Sequence, residues 1–220
     1  HHEREAGVSG KCIVMITPDA ERTMHSHLGI SETVSTTELH EDAIKASDYV
    51  YLEGYLVTSP SGRAAAIKAR QIAEQAGIKT ALTFSDPNMV NFFKDGLADM
   101  LGDGVDLLFC NREEALIWAG TDTIETAAEA LKSVAKSFAI TLGSEGALLF
   151  DGNNTLKVPA TPVQAVDSNG AGDMFAGAFL YGLTHGLGYQ QAGQLATRAA
   201  AQLVTQFGPR LKPEQHKPLL

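Results

Sequence analysis

Two hydrophobic rhythms alternate along this chain. Short apolar runs bounded by turn residues read as strands, and longer segments with apolar positions three and four apart read as helices. Residues 11–17 predict a strand, Pro18-Asp19-Ala20 a turn, and Glu21-Arg22-Thr23-Met24 returning extended chain, together a hairpin with a longer loop. Thr37 to Ala46 predicts a short helix capped by Thr37. Residues 48–54 predict a strand stopped by Gly54. Ser59-Pro60-Ser61 opens a helix that runs to Ala76 and closes on Gly77. Ile78 to Phe84 predicts a strand, residues 85–88 a loop, 89–101 a helix and 105–110 a strand, after which Asn111 caps a helix reaching Trp118. Thr123 to Lys136 predicts a further helix, with Glu125, Ala128, Leu131 and Lys132 at helical spacing. Strands at 138–142, 147–150 and 155–158 follow, separated by the turns 143–146 and 151–154. Helices over 171–185 and 189–206 end the pattern.

Strand–helix alternation from residue 48 to 142 predicts an α/β fold, a doubly wound and mainly parallel sheet with helices on both faces. The hairpins of 138–158 predict an antiparallel edge. Open sheets of this kind bind ligands beyond the carboxyl ends of their strands, so the loops that begin at Asp86, Asn111, Gly143 and Asp167 are the ones to watch. The Pro18 hairpin lies outside the alternation and reads as a small flap. No internal repeat, low-complexity tract or long linker interrupts the chain.

Composition narrows the function classes. With 220 residues, 44% of them apolar and 20% charged, the chain suits one substantial domain with a buried core. A formal charge of −9 argues against broad binding to nucleic acid or to an anionic membrane. It leaves room for a small anionic ligand held by local donors. Cys12 and Cys110 form neither a disulfide framework nor a metal spacing, which points to a reducing compartment. His1 to Glu5 carry no apolar leader core, and no apolar run reaches membrane-span length, so the chain is expected in the cytoplasm. The phosphate-loop pattern Gly-x4-Gly-Lys-Ser/Thr is absent, since Gly10-Lys11 is followed by Cys12. The dinucleotide pattern fails at 170–175, and His40-Glu41 lacks a second histidine at zincin spacing. His25 and His27 alternate as exposed strand residues would.

The stretch with most chemistry is Asp167-Ser168-Asn169-Gly170-Ala171-Gly172-Asp173, which runs straight into the apolar helix Met174 to Leu180. Gly170 and Gly172 allow a tight turn and a close approach of backbone to ligand. The helix start adds unpaired N–H groups and the positive end of its dipole, which together favour an anion. By itself such a turn is commonplace, with Asp173 as a first-turn partner of the dipole.

This stretch, continued to Gly177, resembles the signature D-[ST]-x-G-A-G-D-x-F-x-x-G of the ribokinase-like (PfkB) carbohydrate kinases. Three further segments match in order. Asn111-Arg112-Glu113-Glu114 fits N-x-x-E, Thr141 to Gly146 fits T-x-G-x-x-G, and Val204 to Gly208 resembles the family's closing nucleotide-pocket segment. The resemblance covers residues 11 to 210. Residues 17–24 resemble the lid of the adenosine-kinase-like bacterial branch.

The resemblance implies ATP-dependent phosphoryl transfer to a hydroxyl of a sugar or nucleoside. Asp173 would be the general base, and the backbone of Gly170, Ala171 and Gly172 would form an anion hole. Asn111 and Glu114 would organise Mg²⁺ and phosphate, Glu114 through water. Thr141, Gly143 and Gly146 would shape the nucleotide turn, and Gly208 would close the pocket. Thr197 falls where several relatives place asparagine near adenine. Asp167 and Asn169 fall where many relatives hold a monovalent cation such as K⁺, with Asn169 in place of the usual threonine. Residues 1–30 would be a lid-like hairpin segment able to pair in a homodimer, and 31–220 the nucleotide-binding core. Family members carry a longer N-terminal part that holds the sugar, so the chain is expected to be a C-terminal portion. The residues themselves leave two other readings open: a non-catalytic nucleotide-binding module, and a doubly wound protein for another phosphorylated ligand. Both Asn111 and Glu114 would also serve as plain helix-capping residues. A helix N-terminus is expected to hold the Asp173 carboxyl below its ordinary pKa.

Overall fold

The structure is a computed structural model that describes residues 6–219. Strands β1 (Lys11–Ile16) and β2 (Arg22–His27) form a separate hairpin sheet. Six further strands, β3 to β8, follow one another in sequence order in a mixed sheet. The chain divides into two compact units, one of residues up to Ile13 with His25–Phe138, the other of Val14–Met24 with Ala139–Leu220.

The first unit is built on parallel strands β3 (Tyr49–Glu53), β4 (Lys79–Thr83) and β5 (Leu107–Asn111). Tyr49 lies opposite Lys79 and Glu53 opposite Thr83, while Ala81 lies opposite Leu107 and Thr83 opposite Phe109. Ala81, Leu82, Leu107 and Leu108 are completely buried, as expected of strands covered on both faces. After the short α1 (Glu41–Lys45) comes α2 (Pro60–Ala76). Ser59 caps α2 by accepting the Gly62 N–H at 3.2 Å, and Gly77 ends it in the left-handed region at φ 72°. Its Ala65, Ala66, Ala69, Ile72 and Ala73 face the core at helical spacing. Helix α3 (Pro87–Leu101) starts on Asp86, whose Oδ1 accepts the Asn88 N–H at 2.8 Å, and kinks at Phe93. Helices α4 (Arg112–Ala119) and α5 (Ile124–Leu131) complete the unit.

Two predicted helices in this unit are corrected. Over 37–46 the structure has a 3₁₀ turn at Thr36–Glu38 and then α1. The cap is Ser35, not Thr37. Ser35 and Glu38 close a capping box, with the Ser35 N–H donating to Glu38 Oε2 at 2.6 Å, and Leu39 and His40 then turn extended. The helix predicted to Lys136 ends at Leu131. Residues 134–136 are drawn to Val105, whose N–H donates to the Val134 carbonyl at 3.1 Å and whose carbonyl accepts from Lys136 at 2.9 Å. Pairing with extended chain there outweighs helical propensity.

In the second unit, β6 (Phe138–Thr141) leads through a 3₁₀ turn at Gly143–Glu145 to β7 (Ala147–Phe150), which pairs antiparallel with β8 (Thr155–Val158). Gly146 is required here: its φ is 97°, and a Cβ would lie 2.0 Å from the Val158 carbonyl oxygen. Helices α6 (Ala171–Thr184) and α7 (Tyr189–Leu203) pack on each other where Gly182 meets Ala192, and α7 lays Gly193 over Leu149. Helix α7 stops three residues before the predicted end, because the Val204 carbonyl is taken by the N–H groups of Val166 (2.7 Å) and Asp167 (3.3 Å). The short α8 (Pro213–His216) follows. Among the described residues no helix is long and apolar enough to cross a membrane.

Candidate functional site

The signature loop is clamped before it reaches α6. Asp167 is buried, and its carboxylate accepts two backbone N–H groups, Asn169 at Oδ1 and Gly208 at Oδ2, both at 2.8 Å. Gly170, the N-cap of α6, sits at φ 78°, and a Cβ there would come within 2.7 Å of the Pro209 carbonyl oxygen. Residues 204–209 thus hold both ends of the turn. Gly208 earns its place through this clamp: its N–H is committed to Asp167.

The start of α6 is open. Gly170 supplies no side-chain cap. The Ala171 N–H donates to the Ser168 carbonyl at 3.2 Å, and Met174 closes the first turn on Gly170 at 2.9 Å. Within the described residues Gly172 and Asp173 donate their N–H groups to no backbone carbonyl or side chain. Of the three N–H groups expected to form an anion hole, that of Ala171 is therefore already engaged, while the free donors extend one residue further, to Asp173.

The Asp173 side chain is exposed at this mouth, yet its carboxyl is pushed above the ordinary aspartate range. Partial loss of surrounding water is the main cause, and the Arg22 charge on the hairpin opposes it. The expected downward shift is corrected: no hydrogen-bond donor reaches the carboxylate to reinforce the dipole, so desolvation prevails. Arg22 belongs to the tip segment 14–24 of the same unit, where buried Ala20 accepts the Ser168 N–H at 3.2 Å.

Beside the loop lies a cavity of ≈ 450 Å³. Thr141, Gly143, Ser144 and Gly146 line one wall, and Ser168, Ala171 and Gly172 another. Thr197, Ala200, Ala201 and Val204 come from α7 and its end. The structure thus brings Thr141, Gly143, Gly146, Ala171, Gly172 and Thr197 into one wall set. Thr197 spends its hydroxyl proton within α7, donating to the Gln194 carbonyl at 3.1 Å. Sequence reasoning missed Phe175 and the segment 160–165, which supplies Ala160, Pro162 and Val163. The small residues Ala200 and Ala201 were a usable signal, since they leave room beside a helix. Residues 160–165 carry none, being irregular chain without a motif.

In the first unit, Asn111 and Glu114 form a closed pair. Asn111 Oδ1 accepts the Glu114 N–H, while Glu114 accepts the Asn111 N–H at Oε2 and the Asn111 Nδ2–H at Oε1, all at 2.9 Å. Glu114 is only 3% exposed. Burial, with the Glu114 charge added, pushes the Cys110 thiol well up. Among the described residues no group of three or more His, Cys, Asp or Glu is assembled to hold a metal. A carboxylate already holding two donors fits a magnesium ion through water rather than directly, which suits an ion that keeps much of its hydration shell.

The family profile of the pfkB carbohydrate kinases matches residues 1–216. The chain is 30% identical to the adenosine kinase of Saccharomyces cerevisiae, over 94% of this chain and 64% of that protein. Among solved structures, the adenosine kinase of Sinorhizobium meliloti superposes with a TM-score of 0.91 at 32% identity, covering 95% of this chain and 64% of that one. A protein described as ribokinase II from E. coli, solved in complex with ATP and Mg²⁺, shares the fold, with a TM-score of 0.84 at 22% identity over 96% of this chain and 70% of that one. The chain therefore spans a little under two thirds of the length of the adenosine kinases it matches.

Proposed function

The chain belongs to the pfkB family of carbohydrate kinases, and on that premise we propose that the whole protein transfers the γ-phosphoryl group of ATP to a hydroxyl of a sugar or nucleoside. One observation carries the reading: a cavity of a size suited to a nucleotide has, in its wall, the open N-terminus of α6 with the free Gly172 N–H.

In this reading Thr141, Gly143, Gly146 and Thr197 border the nucleoside part, and the N–H groups at the start of α6 receive phosphate oxygens. Asp173 takes the proton of the acceptor hydroxyl as that oxygen bonds to the γ-phosphorus. The bond from the γ-phosphorus to the bridging oxygen breaks, and ADP leaves with the electron pair. The raised pKa improves Asp173 as a base. The free donors offset the repulsion between carboxylate and phosphoryl oxygens. The family resemblance would give Glu114, which Asn111 orients, the task of holding Mg²⁺ through water. Asp167 would offer its remaining lone pairs, with Asn169, to a monovalent cation such as K⁺. The adenosine kinase relatives favour a nucleoside acceptor, and the hairpin would serve as lid and as a homodimer contact.

The test is thermal unfolding with Mg-ATP, followed by ADP release across a panel of nucleosides and sugars, using the full-length protein. A midpoint raised by nucleotide and turnover with one acceptor class are expected. Binding without turnover on any acceptor would favour a non-catalytic nucleotide module. No response to any nucleotide would overturn both.

A further inference from the structure

The machinery described above leaves one hydroxyl unexplained. Ser168 Oγ is buried and has no hydrogen-bond partner, a condition shared among the described residues only by Arg70 Nε. Arg70 has an evident structural use, since its Nη1 pairs with Glu74 at 2.6 Å. Ser168 has none, although it lines the same cavity as Gly172. Its backbone is pinned from both sides, the N–H to the Ala20 carbonyl and the carbonyl to the Ala171 N–H, each at 3.2 Å. The residue is thus held in the cavity wall by its backbone, and its hydroxyl takes no part in that hold. Folded proteins rarely retain a buried hydroxyl without a partner, because its loss of water is uncompensated.

We propose that Ser168 Oγ donates a hydrogen bond to a phosphate oxygen of the bound nucleotide, adding a side-chain donor to the backbone N–H of Gly172. This rests on the cavity being the nucleotide site. The ligand atom follows from location. Ser168 stands two residues before the N-cap of α6, where the helix dipole and free N–H groups favour negative charge. A hydroxyl in that field meets an anionic acceptor as a donor. The neighbouring Asp167 cannot take this part, because its oxygens are acceptors committed to Asn169 and Gly208.

The experiment compares wild type, Ser168→Ala and Ser168→Thr in the full-length protein, by calorimetric titration with Mg-ADP and by thermal unfolding without ligand. Ser168→Ala is expected to weaken ADP binding about 10- to 100-fold, the range for a hydrogen bond to a charged group. Its unliganded midpoint should stay level or rise, since an unpartnered buried hydroxyl is removed. Ser168→Thr, which keeps the hydroxyl, should bind like wild type. Unchanged ADP affinity in Ser168→Ala overturns the proposal alone, as does equal weakening in both variants, which would make wall shape the cause. A lowered unliganded midpoint in Ser168→Ala overturns it too, by showing that the fold uses the hydroxyl. Wild type that fails to bind ADP overturns the nucleotide reading and this proposal with it.

Discussion

Helices α4 and α6 begin with opposite solutions to the same problem. Each starts with N–H groups that have no partner inside the helix and with an acid in its first turn. At α4 the cap and the first-turn acid close on each other. Asn111 caps Glu114, Glu114 caps Asn111 in return, and the carboxylate is buried. At α6 the cap is a glycine without a side chain, two N–H groups stay free, and the Asp173 carboxylate is exposed. The first arrangement stabilises a fold. The second forgoes that stability and leaves donors and a base available. An acid at a helix start is thus a poor guide to chemistry until its hydrogen bonds are known.

The largest effect that tests this contrast is on turnover. Asp173→Asn should lower kcat by about 10²- to 10⁴-fold, the usual share of a general base, while Mg-ATP binding is kept. Steady-state ADP release and titration check the two parts, and unchanged turnover would remove Asp173 from the role of base. In wild type, kcat/KM should fall as pH drops through the Asp173 pKa, with the fall beginning above the ordinary aspartate range. The stability sign is opposite to that of most paired acids. A folded-state pKa above the unfolded value means that folding binds a proton, so this contribution is full below the unfolded pKa and lost as pH rises through the folded one. Asp173→Asn is therefore expected to raise the unfolding midpoint at neutral pH.

Glu114→Ala should do the reverse. It strips both acceptors from Asn111 in a buried setting, which should lower stability by about 2–3 kcal/mol, read by urea unfolding. A loss of turnover at unchanged stability would instead place the role of Glu114 in magnesium binding alone. Gly170→Ala follows, with about 1–3 kcal/mol lost to a left-handed φ and to the approach of Pro209. A neutral outcome there would mean that the 204–209 clamp yields easily.

How much of this was legible depended on whether the deciding force was local. Gly77 and Asn111 end or start helices where the sequence predicts, because a cap is a contact between near neighbours, whereas α3 begins on Asp86 inside the stretch read as a loop. The signature loop, the 141–146 turn and Thr197 could likewise be read in advance, and the cavity wall brings them together. What distant chain decides was hidden. Val105 recruits residues 134–136 from nearly thirty positions away, and a helical pattern carries no sign of it. The Gly208–Asp167 bond and the Pro209 contact give Gly208 a structural task that its motif does not announce. The direction of the Asp173 shift depends on desolvation at a mouth that only the folded chain defines.

The smallest expected effect separates the two helix starts most directly. Gly172 has an ordinary helical backbone, and a Cβ there would meet nothing within 4 Å. Gly172→Ala should therefore raise stability by up to about 1 kcal/mol, the difference in helix propensity. The added methyl would nonetheless stand in the cavity wall beside the free N–H groups, in the path of a phosphate. The variant should unfold later in urea and yet need more Mg-ATP to reach half its maximal rate. If it were more stable with an unchanged KM, the glycine would be an accident of the turn, and the open start of α6 would need only its backbone. At α4 stability and ligand binding are not opposed in this way, since Asn111→Ala removes the acceptor of the Glu114 N–H and costs about 1 kcal/mol of stability.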